Sequence, residues 1–266
     1  MNQSDAQYAL DKVAQLKAEF QVEIDRDWGD ETGTWQIGNW AIEELEKLHK
    51  VLDTFAGYIG GREKFREFTG GVNVRKADIG SHGGEALAKR VTFSSKGTFT
   101  PWTVVHEFAH AWDAKYGWRL SQELEKYSGG STSLFRSWIV KLIGKHDSGF
   151  RSYERTPGRY GRLPGSNAAG YFYGDKPSGS NWSFNRKEDF AESVAMYVGW
   201  ERDNDLSKHA MKRIARYQLM NGDKDGFGVN DNWQDYAKYF YPENGDYTKT
   251  KRWQFVDDLV NGRISI

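Results

Sequence analysis

A chain of 266 residues with 37 basic and 37 acidic side chains has zero formal charge, which offers no electrostatic case for a nucleic-acid or anionic-membrane partner. It contains no cysteine, so disulfides and thiol catalysis are excluded, and any bound metal must be held by nitrogen and oxygen. Aromatic residues supply enough apolar surface for a substantial core, and no apolar run approaches the length of a membrane span.

In chain order, Tyr8, Val13, Leu16, Phe20 and Ile24 recur at helical spacing and predict a helix over 6–26. Residues 28–39, rich in glycine, tryptophan and acid, read as a loop. Ile42, Leu45, Leu48 and Leu52 predict a helix over 41–56, closed by Gly57, Gly60 and Gly61, with a short helical turn at Glu63–Phe68. Strand-like alternation follows at Val72–Val74 and Arg90–Ser94, with a turn at Gly80–Gly84 between them.

A sharper helix signal comes next. Thr100 is suited to an N-cap, Pro101 to the first helical position, and Gly117 to the end. Trp102, Val105, Ala109, Trp112 and Tyr116 form its apolar stripe. A helix at Leu134–Ile143 precedes a glycine-, serine-, tyrosine- and arginine-rich stretch, 144–187, which reads as an insertion. Helices are then expected from about Lys187 to Gly199, over 205–220, and within the aromatic-rich segment Trp233–Leu259. Residues 1–60 read as a helical cap or accessory layer of one domain spanning 1–266, because no flexible linker separates them.

The chemistry concentrates on the helix after Thr100. His106-Glu107-Phe108-Ala109-His110 puts two imidazoles four residues apart, on one helical face, where they can hold one Zn²⁺. Glu107 beside them is a carboxylate able to take a proton from water activated at the metal. A catalytic site needs a third protein ligand. The pattern with glycine and a third histidine soon after the motif fails, since Asp113 and Tyr116 occupy those positions. His49, His82, His146 and His209 lack supporting spacing and read as surface or structural.

A carboxylate from a second helix is the better candidate. Glu188-Asp-Phe-Ala-Glu192 sets two glutamates four apart, with Phe190, Ala191, Val194 and Val198 on the apolar side. One carboxylate would bind the metal and the other would fix the outer nitrogen of a ligating imidazole. The alternative is a pair of exposed acids on an amphipathic helix. Asp113, three residues after His110, either hydrogen-bonds around the site or neutralises Lys115 or Arg119.

Together the two motifs resemble the gluzincin clan of zinc metallopeptidases. They come nearest to the lethal-factor type of catalytic domain, where a His-Glu-Phe-Gly-His helix is followed by Glu-Phe-Phe-Ala-Glu. The likeness covers about 98–118 and 185–200. It implies His106, His110 and Glu188 as zinc ligands, Glu107 as general base and Glu192 as orienting carboxylate. The separation of His110 from Glu188 exceeds that usual in the clan, and an insertion at 144–187 accounts for it. Clan members often carry a tyrosine shortly before the glutamate helix that supports the tetrahedral intermediate. Here the residue seven before Glu188 is Asn181, which leaves Tyr171 and Tyr173 as the candidates.

The resemblance implies a zincin-like α+β fold: a small, mostly antiparallel sheet beside the motif helix, surrounded by many helices. It also implies hydrolysis of peptide bonds, with a peptide or protein as partner and Arg90–Ser94 as the cleft-edge strand that receives it. Two other readings stay open: a catalytically inactive binding module on the same fold, and a zinc amidase acting on a non-protein amide such as a peptidoglycan cross-link. Asn221–Gly228 places oxygen donors at loop positions 1, 3 and 5, but Asn232 stands where a calcium loop needs glutamate, so a plain turn is expected. No signal peptide is visible in the first residues. An extracellular location is favoured, and the oligomeric state is open.

Overall fold

The first helix stops at Phe20 because Gln21 adopts a left-handed backbone, φ 54°. The computed structural model describes residues 3–25, 40–80, 83–96, 99–127, 186–199, 248 and 251–266. The predicted helices at 134–143 and 205–220, almost all of the 144–187 segment and the 28–39 loop lie outside them. The chain divides into two compact units, 1–115 and 116–266, each taken by itself below.

In the first unit, α1 (Gln3–Phe20) is followed at once by β1 (Val22–Ile24). Ile24 continues the helical spacing, which is why the sequence reading carries the helix to 26. The break at Gln21 instead frees Val22 and Ile24 to pair with Val72 and Val74, with only Glu23 exposed. Next, α2 (Ile42–Tyr58) starts where the Glu44 carboxylate accepts a hydrogen bond from the Ala41 N–H at 3.0 Å. It buries Leu45, Leu48, Leu52 and Phe55. Then come α3 (Arg62–Thr69), β2 (Val72–Ala77), β3 (Gly84–Leu87), β4 (Arg90–Ser94) and α4 (Pro101–Lys115).

The sheet order is β1-β2-β4-β3. The α+β class is as expected, but the sheet is mixed rather than mostly antiparallel. β1 pairs parallel with β2, and β2 with β4; only β3 and β4 are antiparallel. The cause is connectivity. A parallel β1–β2 pair needs a long crossover, and α2 with α3 supplies it. β3 then takes the outer side of β4, which leaves β4 beside β2 and running the same way.

Valines and aromatics fill the space between sheet and helices: Val72, Val74, Val91 and Phe93 are fully buried. Phe65 of α3 is the hub, with ring centroids 5.4 Å from Phe20, 5.5 Å from Phe55 and 5.8 Å from Phe108. Phe68 stacks on Trp112 at 4.5 Å. Each such aromatic pair adds about 0.5–1.5 kcal/mol beyond the area it buries. Through these rings α3 fixes the placement of α4.

The second unit contains α5 (Arg119–Tyr127), α6 (Arg186–Gly199) and α7 (Lys251–Val260). The sequence reading assigns no element to Arg119–Tyr127, although Leu120 and Leu124 are spaced to share one face and both are buried. Of the expected aromatic-rich C-terminal segment, residues 233–247 lie outside the described residues; its last helix, α7, packs on the glutamate helix as expected. Phe255 meets Phe190 edge-on at 6.4 Å, and Trp253 lies 5.5 Å from Tyr197. Hydroxyls bind the layers further: Tyr197 donates to Asp257 at 2.8 Å, and Tyr127 to Asp258 at 2.7 Å. Among the described residues, no helix is long and apolar enough to cross a membrane.

Candidate metal centre

The start of α4 is held by its own cap. The Thr100 hydroxyl accepts from the Thr103 N–H at 3.1 Å, and Pro101 occupies the first helical position, where no N–H is needed. Past its end, Gly117 takes φ 66°, a left-handed conformation that costs glycine little. Between these ends Trp102, Val105, Ala109 and Trp112 are fully buried, as the stripe predicts, and so is Phe108. Phe108 lies two residues from each histidine, about 200° around the helix, so its packing on Phe65 orients the histidine face the other way.

On that face the rings of His106 and His110 sit with centroids 4.6 Å apart and planes 86° to one another. His110 is buried and His106 half-buried. A third donor joins them: one ligand atom from each of His106, His110 and Glu188 lies within 4.8 Å of the other two. Glu188 sits in the first turn of α6 and is half-buried.

Two imidazole nitrogens and one carboxylate oxygen make up the three-ligand set of a catalytic zinc site, and a chain without cysteine has no softer donor to offer. Tetrahedral ligation at about 2.1 Å places donors roughly 3.4 Å apart, a spacing that side-chain rotations can reach from the arrangement present. The donor set therefore fits Zn²⁺. His-Glu-x-x-His completed by a distal glutamate is the gluzincin-type pattern.

Glu107, between the two histidines in sequence, is only 5% exposed. Its carboxylate lies directly against the start of β3. A Cβ added at Gly84 would come 2.5 Å from its Cγ and 2.6 Å from its Cδ and Oε1. No side chain fits at position 84 without displacing Glu107. This neighbour is missed in the sequence, where Gly80–Gly84 reads as a turn. The clue is weak because β3 and β4 are joined through Ala88-Lys89, which lacks the Asn-Gly or Asp-Gly signature of a tight hairpin.

The edge strand is also corrected. Arg90–Ser94 is paired on both sides, by β2 and β3, so it is no edge; among the described residues the sheet ends in β1 on one side and β3 on the other, and β3 is the edge beside α4. Glu85 and Leu87 are exposed along it, and α4 packs over it.

The remaining candidates divide by location. Glu192, one turn after Glu188, is buried at 4% exposure, so the two acids are not an exposed pair on an amphipathic helix. Asp189 to Val198 are all buried. Asp113 is fully buried, whereas Lys115 and Arg119 are exposed, and Lys115 gives its ammonium to the Glu67 carbonyl. His49 is structural: it meets Glu19 at 2.9 Å and Phe20 edge-on. Tyr171, Tyr173, the 221–232 loop, His82, His146 and His209 lie outside the described residues. No protein-family model, curated relative or solved structure matches the chain.

Proposed function

We propose that the chain is a zinc-dependent metallohydrolase that cleaves peptide bonds. The observation that carries this reading is the convergence of His106, His110 and Glu188 within 4.8 Å, with Glu107 buried beside them. His106, His110 and Glu188 would hold the ion. When bound, Zn²⁺ supplies Lewis acidity, lowering the pKa of a water and polarising a carbonyl.

The chain's own residues supply the rest. The Glu107 carboxylate takes a proton from the attacking water and delivers it to the leaving nitrogen. Glu192 orients a ligating imidazole, and Asp113 supports the same side of α4. Tyr171 or Tyr173 stabilises the oxyanion. The free edge of β3 suits an extended peptide, which would add to the sheet through main-chain hydrogen bonds beside Glu107. Within the gluzincins the sequence motifs point to the lethal-factor type of catalytic domain.

The test is direct. The chain, stripped with a chelator and reloaded, is expected to hold one zinc and to cut a mixture of unstructured peptides, read by mass spectrometry, with loss of cutting when the zinc is removed. One bound zinc with cleavage of peptidoglycan cross-links instead of peptides would move the reading to an amidase. Bound zinc with neither activity would leave the hydrolase reading unsupported.

A second expectation concerns Gly84. Gly84→Ala forces a methyl into the space of the Glu107 carboxylate, and a shift of about 1 Å in a catalytic group costs roughly 10²-fold in rate. kcat/KM should fall by about that factor while zinc affinity stays unchanged. An unchanged rate would show that Glu107 tolerates displacement and is not the base.

A further inference from the structure

We propose that Arg252 is a positioning residue for the zinc site: by clamping Asp189 it fixes the first turn of α6, and with it the third ligand, Glu188. The inference rests on the zinc reading above and extends it to a residue that touches neither metal nor substrate.

Glu188 occupies a weak place in a helix. α6 begins at Arg186, and the first turn of a helix has N–H groups without intrahelical partners and is prone to fray. A ligand there holds its geometry only if something outside the helix holds the turn. Both sequence neighbours of Glu188 are held. On one side the Lys187 ammonium sits 3.6 Å from the ring centroid of Trp118. Trp118 itself takes φ 63°, a left-handed conformation that a bulky residue keeps only when its surroundings enforce it.

On the other side the Asp189 carboxylate accepts from Arg252 Nε at 2.7 Å and from Nη2 at 3.5 Å, with the Ser193 hydroxyl at 3.5 Å. Asp189 and Arg252 are 2% and 1% exposed.

The character of this pair separates positioning from stability. Taking two charges out of water costs about what their attraction returns, so an apolar pair of similar volume is often as stable or more so. The same site filled by leucine and methionine would serve the core equally well. What the ion pair adds is a fixed direction: Arg offers a planar fork at set angles, and Asp189 is one residue from the ligand. Groups that hydrogen-bond a metal ligand directly are worth about 10–100-fold in metal affinity, and Arg252, which acts through the residue next to the ligand, is expected to fall within that range.

The experiment is a thermodynamic cycle on zinc affinity, measured by competition with a chromophoric chelator. The variants are Glu188→Ala, the apolar replacement Asp189→Leu with Arg252→Met, and the combination of all three, with circular dichroism and urea midpoints to follow folding. The apolar replacement is expected to keep the wild-type fold and lose zinc affinity by roughly 10–100-fold. That loss should vanish in the Glu188→Ala background, because Arg252 acts through Glu188. Should the apolar replacement fail to fold, Arg252→Lys, which keeps the charge and loses the fork, carries the same comparison in both backgrounds. Wild-type affinity in the folded variants, or an equal loss with and without Glu188, overturns the proposal. If Glu188→Ala alone leaves zinc affinity unchanged, the ligand assignment fails first.

Discussion

Glu107→Gln is expected to lower kcat by about 10²–10⁴-fold while leaving zinc affinity at the wild-type level. The substitution keeps the shape of a side chain buried at 5% exposure against Gly84, so packing changes little. It removes only the capacity to accept and return a proton. Glu107 is not among the three converging donors, so the metal should remain. Turnover of a cleaved peptide, measured beside zinc content on the same preparation, separates the two effects. Activity within a few-fold of wild type would remove Glu107 from the mechanism.

The second large effect is expected at His110. Apparent zinc binding energies of about 10–16 kcal/mol in four-ligand sites correspond to roughly 3 kcal/mol per ligand, or about 10²-fold in affinity for each ligand lost. His110→Ala should therefore weaken zinc by 10²-fold or more, with loss of peptide cleavage. His49→Ala is the matching control. That histidine, on α2, serves Glu19 and Phe20 on α1, so its removal should cost on the order of 1 kcal/mol of stability and leave zinc untouched. Equal zinc binding in the two variants would show that the histidine pair is not the metal site.

The site was more legible in the sequence than the sheet was. His106 and His110 announce themselves because ligand spacing on a helix is a local property: four residues return the chain to the same face, and Thr100, Pro101 and Gly117 mark where that helix begins and ends, whereas spacing alone does not choose Glu188 over Glu192 and only the resemblance to the gluzincin pattern does. The strands carry no comparable local signature. Val22–Ile24 is too short to alternate visibly, and its identity as a strand comes from Val72 and Val74, some fifty residues away. β3 has one face against α4 and the other exposed, with glycine, glutamate, alanine and leucine in place of a β-branched run. Its position at the edge, and hence the nearness of Gly84 to Glu107, follows from pairing and not from composition. The mixed direction of the sheet is hidden from the sequence for the same reason. Parallel or antiparallel order depends on which strand inserts beside which, and nothing within a single strand encodes it.

Phe108 sits inside the metal-binding motif and yet belongs to the core, fully buried against the Phe65 hub. Metal binding and folding are thus written into the same five residues, on opposite sides of one helix. Phe108→Ala is expected to weaken zinc binding without removing any ligand atom, by loosening the helix that aims both imidazoles. Random mutagenesis scored by activity alone would place Phe108 beside Glu107 in importance, and only a parallel measure of folded protein would separate the scaffold from the chemistry it carries.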